Sequence, residues 1–306
     1  MSPHAVIDVG SNTIHLLVCE VEDGVVLPVT AEKVSLRLGS GMDETGMIEE
    51  ARIHVAVEAI KLFARLATLN GASETTVLAT SAVREAENGP ALVEEVREKA
   101  ELEMRLISGE EEAVLGFRGA ISALDPGFPR EAPVLVVDLG GGSTQLILGD
   151  IEVGPEKQVS LPLGSNRLTE RYVEHDPPEP EELEALREAV LTVLPVWNLP
   201  EETAVVAIGG SARAILKLTR DQLTAKRLQQ LAGEISMKSS TLAQKEGLAP
   251  ERARVLPAAI TTLAAILEHF GRLSLTVVRG GIREGVILTM ADEARKKENS
   301  TGGKRW

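Results

Sequence analysis

Cysteine is nearly absent from this chain: Cys19 is the only one among 306 residues. A single thiol excludes internal disulfides and any cysteine-rich zinc site, and a cytoplasmic setting is the expectation. Aromatic residues are as scarce, 2% of the chain, too few for the stacking platforms that bind single-stranded nucleic acid. Positive charge is in deficit. The 32 Lys and Arg against 46 Asp and Glu leave a net charge of −14, the opposite of the basic surface a nucleic-acid binder presents. No run reaches the ~18 uninterrupted apolar residues of a membrane span, and the N-terminus shows no signal-peptide pattern. The histidines (His4, His15, His54, His175 and His269) show no metal-ligand spacing. Neither nucleic acid nor membrane is therefore expected as a partner. Apolar residues are ample at 43%, enough for the cores of two domains.

The first positive signal is an internal repeat. Ala5 to Val18 reads as an apolar strand ending in Asp8, a polar turn with Gly10, and a second apolar strand; Leu135 to Leu148 repeats this around Asp138 and Gly140-Gly141-Gly142. Each copy has the pattern of a β-hairpin, and two copies predict two domains with related hairpins facing one another across a cleft. Between and after the copies, helical periods (49–69, 90–100, 110–123, 181–193, 253–270) alternate with strand-like runs (75–80, 104–107, 204–208, 275–279). This alternation predicts an α/β architecture. The loop-like stretch Asp125 to Pro133 sets the expected boundary: residues 1–124 as one domain and 125–306 as the other, the C-terminal helix being available to pack back on the first. The polar tail after Glu298 is expected to fray.

Asp8 and Asp138 each precede a turn of small residues. Turn amides cradle phosphate oxygens, and glycine lets the backbone approach closely; an adjacent Asp holds a hard cation that neutralises phosphate charge. The plainer reading, Asp as a turn former, suits one copy better than two matched ones. The first turn offers Gly10, Ser11, Asn12 and Thr13, the second Gly140, Gly141, Gly142, Ser143 and Thr144. A dinucleotide-binding βαβ does not fit, because Gln145 to Leu148 continues as strand. Gly209-Gly210-Ser211 opens another helix, as does Gly280-Gly281, with Arg213 and Arg283 in the first turns; Arg167 follows Gly164. Thr80 to Arg84 predicts a helix start with Ser81 as N-cap and Arg84 opposing the macrodipole unless an anion sits there. Ser108 and Glu111 match a capping box. Glu112 is not needed by the cap, and as a carboxylate in an acidic cluster it suits a general base. For each of these side chains the alternative is an ordinary structural or surface role.

Taken together, Ile7 to Thr13, Ala79 to Arg84, Ser108 to Ala113, Val137 to Thr144, Ser160 to Gly164 and Leu275 to Leu288 resemble, in order, the signature blocks of the exopolyphosphatase/guanosine pentaphosphate phosphatase family, short two-domain form. The resemblance spans nearly the whole chain. It implies two actin-like domains of the sugar kinase/actin/chaperone superfamily, ribonuclease H-like in topology, with the site in the interdomain cleft. It implies Glu112 as catalytic base, Asp138 as metal-linked carboxylate, and Asn12, Arg84, Gly141, Gly142 and Ser143 along the phosphate path; Asp8, from the repeated motif, is the second expected metal carboxylate. Where the family has a metal-site glutamate this chain has Gln145; where it often has glycine and an acidic residue, this chain has Ala259 and Arg254.

The implied reaction is Mg²⁺-dependent hydrolysis of the terminal phosphoanhydride of linear polyphosphate, with Mn²⁺ as an alternative metal and a homodimer as a further expectation. Guanosine pentaphosphate is the competing substrate. An ATP-dependent kinase of the same superfamily and a non-catalytic sensor of polyphosphate or guanosine polyphosphates are the readings of other kinds.

Overall fold

The computed structural model describes residues 3–219, 223–235, 237, 240, 248 and 250–302. Two compact units emerge. One takes the chain up to Leu38, Glu44–Ala123 and the described residues from Gly280 onward; the other takes Gly39–Asp43 and Leu124–Arg279.

The first unit opens with β1 (His4–Val9), β2 (Thr13–Glu22) and β3 (Val25–Ser35). After the single turn α1 (Met42–Thr45) come α2 (Glu50–Leu69), β4 (Glu74–Ala79), α3 (Ser81–Glu85), α4 (Gly89–Ala100), β5 (Met104–Leu106) and α5 (Gly109–Ser122). The sheet order is β3-β2-β1-β4-β5, with β1 antiparallel to β2 and parallel to β4. Ala5, Val6 and Ile7 are fully buried, which is why β1 reads as an unbroken apolar run. The strand β3 has no such signature. It is an edge strand with Val25, Leu27 and Val29 exposed, and Pro28 sits beside a register shift in its pairing with β2, where a missing N–H is tolerated.

The second unit repeats the plan with β6 (Val134–Leu139), β7 (Thr144–Asp150), β8 (Gly154–Leu161), α6 (Ser165–Tyr172), α7 (Pro180–Val193), β9 (Ala204–Ile208) and α8 (Gly210–Thr219). It continues through β10 (Leu223–Thr224), α9 (Ala225–Ile235), α10 (Pro250–His269) and β11 (Ser274–Val277). Its order β10-β11-β9-β6-β7-β8, read from β8 inward, matches the first sheet with one edge strand added. The duplicated hairpins are thus β1–β2 and β6–β7. Helix α10 is the spine of this unit's core, with Leu256, Ile260, Leu263 and Leu267 fully buried.

The last helix, α11 (Ile282–Gly302), packs in the first unit. Val286, Ile287, Leu288 and Ala291 join Val6, Leu17, Leu78, Ile107 and Leu115 in one cluster. Its crossing with α5 is backbone against backbone: a Cβ on Gly119 would lie 1.8 Å from the Gly281 carbonyl oxygen, and one on Gly285 2.0 Å from that of Leu115. Arg118 on α5 closes the crossing, donating to Thr289 Oγ1 at 3.0 Å and pairing with Asp292. The strand expected over 275–279 ends at Val277, and the helix extends through Gly302, beyond the start of the expected frayed tail.

Candidate functional site

In the first unit, the β1–β2 turn closes with Gly10 N–H donating to the Thr13 carbonyl at 3.2 Å. The turn is tied to α3 by a 2.9 Å hydrogen bond between the Ser11 and Ser81 hydroxyls, both buried, and the Thr80 amide donates to the Val9 carbonyl. Ser81 is therefore not an N-cap: Thr80 holds that position without a side-chain cap bond, and the Ser81 hydroxyl serves the turn instead. Asn12 accepts from the amides of Leu36 and Arg37 at 3.0 Å through its carbonyl, and its side-chain amide lies 3.4 Å from Thr13 Oγ1.

Arg84 lies in the last turn of a five-residue helix. It does not stand against an unanswered dipole. Its Nη1 donates to the Ile107 carbonyl at 2.8 Å and to Glu112 Oε2 at 3.2 Å. Glu112 enters α5 just behind the N-cap Ser108, whose hydroxyl accepts from the Glu111 amide at 3.1 Å. Only that half of the expected capping box forms, because the Glu111 carboxylate pairs with Arg105. Adjacent glutamates thus diverge: Glu112 is 9% exposed, while Glu111 is only half-buried. The outermost carboxyl, Glu110, is held below its usual range by its own backbone amide and Ser108, so the acidic cluster does not uniformly raise its members.

Asp8 lies at the end of β1, opposite His15 in register. Burial pushes its carboxyl up from 3.8 to about 6; Arg283 opposes the rise and Glu284 adds to it. Both belong to the first turn of α11, and Glu284 Oε2 is a buried oxygen without a hydrogen-bond partner. Its connection to Asp8 escapes a sequence reading, since the two residues stand at opposite ends of the chain.

In the second unit, Asp138 pairs in register with Gln145. Gln145 is 1% exposed, and its side-chain nitrogen donates to the Ser143 and Ser160 hydroxyls, each at 2.9 Å. The Thr144 hydroxyl is directed to the Leu163 carbonyl at 2.8 Å. The turn mirrors the first one: Gly140 N–H donates to the Ser143 carbonyl at 3.0 Å. Its three glycine carbonyls accept from the amides of 164–167 at the start of α6, which anchors the turn from behind. Gly164 permits this approach, since a Cβ there would lie 2.2 Å from the Gly141 oxygen.

Next to Asp138 is the β9–α8 turn. Gly209 has φ +97°, a conformation that L side chains rarely adopt, and a Cβ on it would lie 3.2 Å from Asp138 Oδ1. Ser211 is buried, its hydroxyl 3.2 Å from that of Ser165 and accepting from Arg252 Nη1 at 3.0 Å. Arg252 carries no local sequence signal, being one more charged residue in the first turn of α10. Of the other expected cations, Arg167 pairs with Asp43 at 3.0 Å; Arg254, at the position where the family often has an acidic residue, donates to the carbonyls of Val173, Glu174 and His175 at 3.0–3.3 Å. Ala259 is buried in the core.

Comparison with known proteins finds relatives along most of the chain. Residues 17–294 match the model of the Ppx/GppA phosphatase family. Exopolyphosphatase 1 of Mycobacterium tuberculosis is 32% identical over 308 residues, covering 94% of this chain and 88% of that protein. Guanosine-5'-triphosphate,3'-diphosphate pyrophosphatase of Aeromonas hydrophila is 28% identical over 93% of this chain but only 58% of its own length. The crystal structure of the Aquifex aeolicus Ppx/GppA family member superposes with TM-score 0.80 at 26% identity, covering 96% of this chain and 98% of that one. A more distant likeness is the ethanolamine utilization protein EutJ of Carboxydothermus hydrogenoformans, with TM-score 0.50, 14% identity, and coverage of 94% and 90%; it bears on the fold alone, which is actin-like. No helix among the described residues is long and apolar enough to cross a membrane. The chain belongs to the Ppx/GppA phosphatase family and is a phosphoanhydride hydrolase.

Proposed function

We propose that the protein is an exopolyphosphatase that removes the terminal phosphate of linear polyphosphate, with Glu112 as the general base. The observation that carries this reading is the Glu112 carboxylate, buried to 9% exposure and held at one oxygen by Arg84. A carboxylate fixed in this way can orient a water and accept its proton. Phosphoryl transfer asks chiefly for positioning and charge stabilisation, and the turn amides of Gly10–Thr13 and Gly140–Thr144 are suited to bind phosphate oxygens. Polyphosphate is favoured over guanosine pentaphosphate because the exopolyphosphatase relative is matched over 88% of its length and the guanosine relative over 58%.

Magnesium is the proposed cofactor. Among the described residues no three His, Cys, Asp or Glu side chains form a ready-made cage. Asp138 facing Gln145 offers one carboxylate, which fits Mg²⁺ because this ion keeps several waters and binds through one or two carboxylates plus substrate phosphates. When bound, it would spread charge on the phosphate oxygens; Asp138 would hold it, and Asp8 is a second candidate ligand. The test is phosphate release from polyphosphate, guanosine pentaphosphate and ATP, each with and without Mg²⁺. Release from polyphosphate above the other two is expected; no release from polyphosphate overturns the reading.

A further inference from the structure

Helix α2 is apolar on two opposite sides. Ile53, Val57, Ile60 and Phe63 are buried in the first unit. On the other side Val55, Leu62 and Leu69 are 51%, 55% and 81% exposed. With Ala59 and Leu66 between them, these residues recur at alternating spacings of four and three, the period that keeps a seam on one side of a helix for a partner helix. A surface helix ordinarily turns charged and polar residues to water. The neighbouring helix α4 does so, with Glu94, Arg97 and Glu98 exposed. Single exposed leucines mean little, but an aligned stripe about four turns long has the form of a contact surface.

One flank of the stripe is bordered by Glu58 and Arg65, both exposed. Rotating a second copy of α2 about a two-fold axis at Leu62 makes the sequence complement itself. Leu62 meets its own copy, Val55 meets the partner's Leu69, and the small Ala59 meets the partner's Leu66. On the bordering flank, Glu58 comes level with the partner's Arg65, twice by symmetry. Two copies running in the same direction would instead set these charges against Ala59 and Leu66, so the charge pattern selects the antiparallel arrangement. Glu58 already accepts from Lys61 at 2.8 Å, but its side chain is 67% exposed and open to a second cation.

We infer that α2 is the seam of a symmetric homodimer, packed antiparallel against the same helix of a second copy. One helix pair of this length lies at the low end of specific interfaces, about 1,200 Å², so the dimer is expected to dissociate on dilution.

Sedimentation velocity of the full chain over a dilution series tests this. The wild type should pass from monomer to dimer as concentration rises. Leu62→Asp sets two like charges against each other at the axis and should stay monomeric where the wild type is mostly dimer. Glu58→Arg or Arg65→Glu alone should raise the dimer Kd by about tenfold. The two together restore opposite charges and should return it close to the wild-type value. All three positions are exposed, so the melting temperature of each variant's monomer should stay near that of the wild type. A wild type that remains monomeric throughout overturns the inference, whatever other chain or lipid surface then covers the stripe. A dimer untouched by folded Leu62→Asp overturns it too, as do single reversals without effect or a double variant that recovers nothing. If Leu62→Asp does not fold, the charge reversals and their combination decide by the same readings.

Discussion

Glu111 and Glu112 are neighbours on one helix with opposite fates, and the contrast gives a sharp test. Glu112→Gln keeps the shape but removes the proton acceptor, and kcat should fall by roughly 10²–10⁴-fold with little change in polyphosphate binding. Glu111→Gln breaks only the exposed pair with Arg105, worth about 0–1 kcal/mol, and activity should persist; equal losses at the two positions would remove Glu112 from its assigned role. Asp8 supplies a pH signature. Its carboxyl is raised in the folded protein to about 6, so the protonated form stabilises the fold below its unfolded value near 4, and that contribution is lost as pH rises through 6. Asp8→Asn should match the wild type at pH 4 in denaturant unfolding and exceed it by about 1–2 kcal/mol at pH 7.5, a figure reduced for the group's partial exposure. A wild type equally stable relative to the mutant at both pH values would show that the buried charge is not felt. For Gln145, replacement by glutamate should shift Mg²⁺ activation to lower concentration. The Ser143 and Ser160 hydroxyls that now accept from the amide can rotate to donate to the new carboxylate. Superimposable activation curves would separate this position from the metal.

The elements tell which parts of the sequence were legible. The hairpins β1–β2 and β6–β7 were, because apolar runs, a terminal Asp and a small-residue turn are local features. Helices α2, α4 and α10 were, from their period. The edge strand β3 was not: exposed on its Val25, Leu27 and Val29 positions and broken by Pro28, it offers neither alternation nor a continuous apolar run. Glu112 could be singled out because its neighbours explained the cap without it. Its ion pair with Arg84 could not, nor could Arg252 beside Ser211 or Glu284 beside Asp8, since each joins residues far apart in sequence. The α5–α11 crossing is of the same kind. Gly285 looks like a routine helix glycine, yet its Cβ position lies 2.0 Å from a backbone oxygen, and backbone yields less readily than a side-chain end. Gly285→Ala should therefore destabilise the first unit by about 1–3 kcal/mol, despite alanine's better helix propensity. A melting temperature at or above that of the wild type would contradict the close approach.

At the scale of the whole molecule, the first unit is assembled from both ends of the chain. Strand β1 and helix α11 belong to it, while Leu124–Arg279 forms almost all of the second. Ending the chain at Arg279 would strip Val286, Ile287, Leu288 and Ala291 from the first unit's core. At about 1.5–3 kcal/mol for each large apolar side chain buried, that loss exceeds the margin of an ordinary domain. The truncated chain should be insoluble or lose cooperative unfolding while its second unit still melts as a unit; a full two-unit melt would argue against the shared core. The same arrangement bears on the order in which the protein is made. A ribosome releases the second unit's residues before the helix that completes the first, so the half whose coding begins earliest is the last to close. Until α11 emerges, Leu17, Leu78 and Leu115 lack the side chains that cover them, and the nascent chain carries an open apolar face on its oldest part. Protease protection of stalled chains should accordingly appear over 124–279 before it appears over 4–122.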